Sequence, residues 1–204
     1  MPPMVTAGLR VNVAPDPVAP APRVLGIDPG LLRTGYAVLD RDARSEARLV
    51  EAGVIRLASR EPLARRLAAL AEALELLIET HRPPLLVCED LYAHYAHPRT
   101  AILMGHARGV VLVTAARRGL EVLSVGATRV KKTLTGSGHA SKAQIQRAVA
   151  GTLRLARLPE PSDVADAIAI GLCGLRLPRS GPGASAPGRR RVMRAADGLQ
   201  GAAR

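Results

Sequence analysis

A short apolar run that ends in a carboxylate constrains this chain more than any other stretch. Residues 24–28 read Val-Leu-Gly-Ile-Asp and are followed by Pro29 and Gly30. Aliphatic residues around a glycine predict a short, fully buried strand, and the Pro-Gly pair predicts the turn that ends it. A carboxylate at the exit of a buried strand is costly to desolvate unless it finds a partner. Asp28 therefore either caps the turn or faces a cation, and this stretch alone leaves both interpretations open.

The hydrophobic periodicity of the following residues predicts four more strands and five helices. The strands are expected at Thr34–Leu39, Leu49–Leu57, Leu85–Cys88 and Glu121–Val125. The helices are expected at Leu63–Leu77, about 99–118, about 127–134, about 141–157, and from Pro161-Ser162 onward with Ser162 as the N-cap. This order predicts an α/β fold in which one five-stranded mixed sheet is flanked by helices on both faces.

Composition divides the 204 residues into one domain with two tails. Residues 1–22 are rich in Pro and Ala, residues 178–204 are rich in Gly, Pro and Arg, and both are expected to be disordered, which leaves residues 23–177 as the domain. The net charge is +12, of which the C-terminal tail carries +5 and the body +7. A basic body favours a polyanionic partner such as nucleic acid. Phe and Trp are absent, so aliphatic side chains must form the core.

Cysteine usage and hydropathy indicate the compartment. Cys88 and Cys173 lie in apolar contexts and are interpreted as core thiols in a reducing environment. No apolar run reaches the roughly 18 residues that a membrane span needs, and no secretory signal is recognisable. We therefore expect a soluble, cytoplasmic protein with no membrane partner. Cys88 with His94 and His97 suggests zinc only weakly, because no fourth ligand has a matching spacing.

Three further carboxylates accompany Asp28. Glu89 also ends a buried strand, and Asp163 and Asp166 lie three residues apart at the start of an apolar helix, on one face. Acidic residues in a first helical turn are also ordinary caps, so the pair alone does not decide. Parallel neighbouring strands would bring Asp28 and Glu89 to one sheet edge, where open α/β sheets bind ligands.

Four carboxylates at one edge would raise each other's pKa unless a cation neutralised them. Hard oxygen ligands select Mg²⁺ or Mn²⁺. Two such ions roughly 3.5–4 Å apart suit in-line hydrolysis of a phosphodiester. The basic body would then contact the phosphates of a nucleic acid.

The chain resembles the RuvC-type Holliday-junction resolvases, and the resemblance covers about residues 24–175. It rests on these collinear motifs: Leu25-Gly-Ile-Asp-Pro-Gly30, Thr34-Gly-Tyr36, Glu89, Gly105-His-Ala-Arg-Gly109, Val130-Lys131 with Thr133, Gly136-Ser-Gly138, Lys142 and Asp163-Val-Ala-Asp-Ala167. The resemblance implies an RNase H-like fold, a homodimer, and Mg²⁺-dependent paired nicks across a four-way DNA junction during recombination and repair. It also implies the RuvA/RuvB branch-migration complex as a partner.

The resemblance also implies roles for single residues. Four positions match the family's catalytic, metal-binding carboxylates: Asp28, Glu89, Asp163 and Asp166. They would hold two Mg²⁺ per subunit, with Asp28 between the two ions, and Mn²⁺ would substitute for Mg²⁺. Four cations would form a patch near the scissile phosphate: Lys131 and Lys142, which match the family, and Arg129 and Lys132, which extend it. Tyr92 falls where the family places an aromatic residue that stacks at the junction centre, and such stacking contributes roughly 1–3 kcal/mol.

Two departures and three alternatives remain open. Asp90 adds a carboxylate directly after Glu89 that could perturb metal affinity, and Tyr92 replaces the usual Phe. His139 lies in a glycine-rich loop and either is solvated, contacts phosphate or assists proton transfer. The alternatives are a junction-binding protein without catalysis, a phosphotransferase related to actin-like ATPases, and an RNase H-like nuclease acting on RNA.

Overall fold

The computed structural model describes residues 5–6, 23–91 and 98–177, of which residues 5–6, 98 and 99 are described in backbone only. The strands are β1 (Val5–Thr6), β2 (Val24–Asp28), β3 (Arg33–Arg41), β4 (Ala47–Arg56), β5 (Leu85–Glu89) and β6 (Glu121–Val125). They form a single sheet in the order β1-β4-β3-β2-β5-β6. The five predicted strands are therefore confirmed. The added strand β1 lies within the leader that was expected to be disordered, and it pairs with the outer edge of β4.

The sheet is mixed, as predicted. Strands β2, β3 and β4 form an antiparallel meander, whereas β5 runs parallel to β2 and β6 runs parallel to β5. Strand β2 is central, and residues 24–27 are buried because helices cover both faces of the sheet. The pairing of Ile27 with Cys88 ends β2 and β5 at the same level. The next residues, Asp28 and Glu89, consequently lie at one edge of the sheet.

The helices are α1 (Leu63–His81), α2 (Pro98–Arg117), α3 (Ala127–Thr135), α4 (Lys142–Thr152) and α5 (Ser162–Arg176). Helices α1 and α2 share one apolar core with the sheet, and α3, α4 and α5 share a second core with the opposite face. The predicted arrangement with helices on both faces is confirmed. Apart from Cys88, Cys173 and Tyr36, both cores are aliphatic. Tyr36 is fully buried and donates a hydrogen bond to Glu51 Oε1 at 2.8 Å.

Two local predictions were wrong. Helix α4 ends at Thr152 instead of near residue 157, because the backbone turns at Arg154, where φ is 51°, and lets Leu153 and Leu155 pack against the core. Ser162 is not the N-cap of α5, because it is already the first helical residue. Pro161 holds the cap position, and its carbonyl accepts a hydrogen bond from the Val164 N–H at 2.9 Å.

Helix α5 packs directly on the backbone of the central strands. A Cβ on Gly26 of β2 would lie 2.6 Å from the Gly171 nitrogen of α5, and a Cβ on Gly35 of β3 would overlap the Asp163 carbonyl oxygen. Glycine is therefore required at both strand positions for the helix to come this close. Because Gly35 pairs with Asp28 across the strands, this contact places the first turn of α5 beside the end of β2.

Several expectations lie outside the described residues: the rest of the leader, the tail from residue 178 onward, and the segment that contains Tyr92, His94 and His97. The domain boundaries at residues 22 and 178 thus stay predictions. No helix in the described part of the chain combines the length and apolarity needed to cross a membrane.

Candidate active site at the sheet edge

The turn after β2 does not use Asp28 as its cap. The Thr34 hydroxyl closes this turn by donating to the Gly30 carbonyl at 2.6 Å and accepting from the Gly30 N–H at 3.2 Å. Among residues 23–91 and 98–177, no hydrogen bond or ion pair to the Asp28 carboxylate is found. Of the two interpretations open from the sequence, the structure therefore disfavours the turn cap.

The first turns of α5 bring two more carboxylates to the same edge. Asp163 lies in the first turn and Asp166 one turn further along the helix. Asp163 Oδ2 is buried and has no hydrogen-bond partner in the described part of the chain. Arg33 Nη2 lies 3.3 Å from this oxygen, but its orientation gives an ion pair without a hydrogen bond. Arg33 is half-exposed at the start of β3, and sequence reasoning did not identify it.

Negative charge from neighbouring carboxylates raises the pKa of Asp28, Glu89 and Asp166, which shows that these side chains lie close together. The pKa of Asp28 is raised from 3.8 to about 7, chiefly by burial and then by the charges of Asp166, Glu89 and Asp163 in that order, against a lowering effect of Lys142. Burial is also the main cause of the raised pKa of Glu89 and of Asp166. The structure thus brings together the four acidic residues that were singled out from the sequence, and it holds three of them in environments that disfavour their charge.

Two lysines lie close enough to offset part of this negative charge. Lys142 Nζ is 3.9 Å from Asp166 Oδ2. The charges of Lys131 and Lys142 lower the pKa of Glu89 and of Asp166 against the effect of burial. Arg129 and Lys132 are exposed on α3, and neither is among the charges that shift these carboxylates. The structure therefore separates the predicted patch into two lysines at the site and two cations at the surface beside it.

The donor set fits a hard divalent cation. It consists of carboxylate oxygens, one of them buried without a hydrogen bond, and three groups have pKa values that a bound positive charge would lower. Within the described ranges, however, no three His, Cys, Asp or Glu side chains are arranged to hold a metal ion as they stand. The ion pairs of Asp163 with Arg33 and of Asp166 with Lys142 occupy these carboxylates. A divalent ion at this edge would therefore need these side chains to rearrange.

The weaker alternatives gain no support from the described residues. Cys88 is fully buried in β5, and burial raises the pKa of its thiol to about 12, so it is a poor metal ligand. His139 is exposed in the loop between α3 and α4. Tyr92, His94 and His97 lie outside the described residues.

An arginine that sequence analysis quoted only as part of a motif contacts the end of β5. Arg108 on α2 donates through Nε to the Glu89 carbonyl at 3.0 Å, and through Nη2 to Asp90 Oδ1 and Ser124 Oγ, each at 2.7 Å. The extra carboxylate at position 90 is therefore engaged by α2. An unpaired acidic residue beside Glu89 was the signal in the sequence that could have indicated such a partner.

The match to a known protein family covers the same part of the chain as the fold and the site described above. The family model described as crossover junction endodeoxyribonuclease RuvC matches residues 24–174, which include every helix and strand except β1 and the last two residues of α5. A curated protein of that name from Rhodopirellula baltica is 50% identical over 151 residues, which cover 74% of this chain and 84% of that protein. Another from Clavibacter sepedonicus is 42% identical over 186 residues, which cover 88% of this chain and 90% of that protein.

The fold comparison agrees with the sequence comparison. The structure of Thermus thermophilus RuvC in complex with a Holliday junction substrate superimposes with a TM-score of 0.69 at 34% identity. The superposition covers 74% of this chain and 91% of the Thermus chain. The RNase H-like fold class expected from the sequence is thereby confirmed.

Proposed function

The chain belongs to the RuvC family of crossover junction endodeoxyribonucleases, and we propose that it resolves four-way DNA junctions by hydrolysing phosphodiester bonds in a pair of strands. The observation that carries this proposal is the convergence of four carboxylates at one sheet edge, where burial and neighbouring negative charge raise the pKa of Asp28, Glu89 and Asp166. Such a cluster is costly in a metal-free protein and useful for binding cations at a phosphodiester. We place this activity in the cytoplasm because junction DNA lies there in a bacterial cell.

The four carboxylates would act as ligands of two Mg²⁺ ions per subunit, and Mn²⁺ would substitute. Asp28 would contribute to both ions, because the charges of Glu89 and of both α5 aspartates act on its carboxylate. When bound, the ions supply the positive charge that activates water and stabilises the leaving oxygen. The carboxylates would also orient the attacking water.

Lys131 and Lys142 would orient the scissile phosphate and neutralise part of its charge. Their contribution is electrostatic, since both already act on Glu89 and Asp166. The exposed Arg129 and Lys132 would contact phosphates further along the backbone, which positions a duplex without reading its sequence. Tyr92 remains our candidate for stacking at the junction centre.

We propose a homodimer in which α2 forms the contact between subunits. Ile102 and Val113 on this helix are 62% and 52% exposed. A Cβ on Gly105 or Gly109 would meet no atom within 4 Å, so this side of the helix is open. Two subunits related by a two-fold axis would present two sites to two opposed strands. Association with the RuvA/RuvB complex stays a prediction from the family.

The dimer proposal is tested by Ile102→Glu, which places a charge in the proposed contact. Analytical ultracentrifugation should show a dimer for the wild type and a monomer for the variant. Leu158→Glu is the matched control, because Leu158 is another exposed aliphatic residue, outside α2. A monomeric wild type, or an Ile102→Glu variant that remains dimeric, would contradict α2 as the contact.

The nuclease proposal is tested by incubating the purified protein with a labelled mobile four-way junction and Mg²⁺. We expect symmetrically paired nicks for the wild type and none for Asp28→Asn, while both bind the junction in Ca²⁺. Asp42→Asn is the matched control, because Asp42 caps the β3–β4 turn at the other end of the sheet and its amide oxygen can still accept those bonds. Junction binding without cleavage in Mg²⁺ or Mn²⁺ would instead assign a non-catalytic junction-binding role.

A further inference from the structure

Arg108 connects helix α2 to the strand end that carries Glu89. Its three hydrogen bonds reach three different residues: the backbone carbonyl of Glu89, the carboxylate of Asp90 and the hydroxyl of Ser124. The side chain is 20% exposed. A planar guanidinium with several fixed donors can hold such a set of acceptors in one geometry, which a lysine cannot do.

The contacts of Arg108 fix the backbone from which the Glu89 side chain projects. Strand β5 ends at Glu89, so its carbonyl is one of the last groups before the chain leaves the sheet. The next residue is held as well, because the Asp90 N–H donates to the Val125 carbonyl at 2.9 Å. Arg108 and this bond together anchor the strand end to β6. The carboxylate of Glu89 itself receives no hydrogen bond from Arg108.

The same contacts show what the acidic side chain at position 90 interacts with. Asp90 Oδ1 lies 2.7 Å from Arg108 Nη2, which is a charge-assisted hydrogen bond. This pair places the second carboxylate of the Glu-Asp sequence against α2. Its charge is thereby balanced by an arginine within the fold.

We propose that Arg108 is a positioning residue for the nuclease reaction, and that Asp90 orients Arg108 instead of binding metal. The proposal rests on the nuclease function proposed above, in which Glu89 is a metal ligand. Residues that orient metal ligands typically contribute 10–100-fold to metal affinity or activity. Loss of Arg108 should accordingly weaken the use of Mg²⁺ more than the binding of junction DNA.

The experiment compares Arg108→Ala and Asp90→Asn with wild type, and Arg118→Ala serves as the matched control. Arg118 follows α2 and forms two ion pairs with Glu75 and Glu79 of α1, remote from the carboxylates. Four quantities are measured: the single-turnover cleavage rate, the Mg²⁺ concentration at half-maximal rate, the junction Kd in Ca²⁺, and Mn²⁺ binding without DNA by electron paramagnetic resonance. Thermal unfolding establishes that each variant is folded.

For Arg108→Ala we expect a 10–100-fold lower rate, a Mg²⁺ half-saturation at least tenfold higher, weaker Mn²⁺ binding and a junction Kd within threefold of wild type. Asp90→Asn should lower the rate by at most about threefold, because the amide oxygen still accepts from Arg108. Arg118→Ala should leave the Mg²⁺ dependence unchanged. These magnitudes follow from the typical effect of outer-shell residues.

Two results would overturn the proposal. The first is a folded Arg108→Ala protein with the Mg²⁺ half-saturation and Mn²⁺ binding of the wild type. The second is an Asp90→Asn variant as inactive as Glu89→Gln, since Asp90 would then act as a ligand. If the wild type itself fails to cut junctions, the nuclease function fails, and the Mn²⁺ comparison between Arg108→Ala and wild type still decides whether Arg108 positions the carboxylates.

Discussion

Replacing Asp28 with asparagine should stabilise the metal-free protein while it removes cleavage. The pKa of Asp28 is raised from 3.8 to about 7, chiefly by burial. Between these two values the folded state holds a proton that the unfolded state has released, so the free energy of unfolding falls as the pH rises. A difference of roughly three pH units at 1.36 kcal/mol each corresponds to about 4 kcal/mol lost above pH 7. Asparagine carries no charge and avoids this cost.

The assay is thermal and urea unfolding in EDTA at pH 5 and pH 8. At pH 8, Asp28→Asn should exceed the wild type in unfolding free energy by about 2–4 kcal/mol, or roughly 5–15 °C in Tm for a domain of this size. At pH 5 the gap should shrink to about 1–2 kcal/mol, because wild-type Asp28 is then largely protonated in the fold. Adding Mg²⁺ at pH 8 should stabilise the wild type more than the variant, since ligand binding to the folded state adds stability.

Asp40→Asn is the control for this reasoning. Asp40 is also buried, but it accepts hydrogen bonds from Arg23 at 3.2 Å and from Arg48 at 2.8 Å. Neutralising a paired carboxylate should therefore destabilise the protein at both pH values. The argument for Asp28 would be refuted if Asp28→Asn proved no more stable than the wild type at pH 8 while Asp40→Asn lost stability as expected.

Three further changes probe other parts of the molecule. Gly35→Ala should reduce junction cleavage at least tenfold in a gel assay, because its Cβ would push the first turn of α5 away from the strands. Gly151→Ala is the control and should keep wild-type activity, because its Cβ would meet no atom within 4 Å. Lys142→Ala should move the acidic limb of the cleavage rate profile to higher pH, because that lysine lowers the pKa of the neighbouring carboxylates, whereas Arg44→Ala in the distant β3–β4 turn should not move it. Tyr36→Phe should cost about 1–3 kcal/mol in urea unfolding without changing the cleavage rate, because it leaves a buried acceptor without this donor.

The parts of the site that depend on strand ends could be predicted from the sequence. Buried strands such as Val24–Asp28 and Leu85–Glu89 are nearly continuous apolar runs, and a charged residue marks where each one ends. Parallel pairing then places the two ends together, so Asp28 and Glu89 follow from the pattern alone. The position of α5 does not follow from the same pattern, because acidic residues at a helix start also serve as caps.

The identity of the arginines at the site could not be predicted, although Asp90 beside Glu89 indicated that a cationic partner was needed. Arg108 meets Glu89 because α2 crosses the end of β5, and Arg33 meets Asp163 because α5 packs directly on β3. Both contacts arise from the distance between elements, which periodicity does not report. Long flexible side chains also carry no spacing rule that would link them to a distant carboxylate. For Ser162 the sequence pattern predicted the wrong role. Serine is a favourable N-cap residue, but the preceding Pro161 holds the cap position of α5.

The burial of α5 has a consequence for how the protein loses activity on heating. Its residues 164–175 are buried almost without interruption, except at Asp166, and they form much of one core. Elements of this kind open only with global unfolding, so their amide hydrogens exchange slowest with solvent. Two of the four carboxylates therefore lie at the start of a helix that we expect to be among the best-protected units of the fold. We therefore expect the site to lose its arrangement only when the whole domain unfolds, and not by local unfolding of α5 in an otherwise folded molecule.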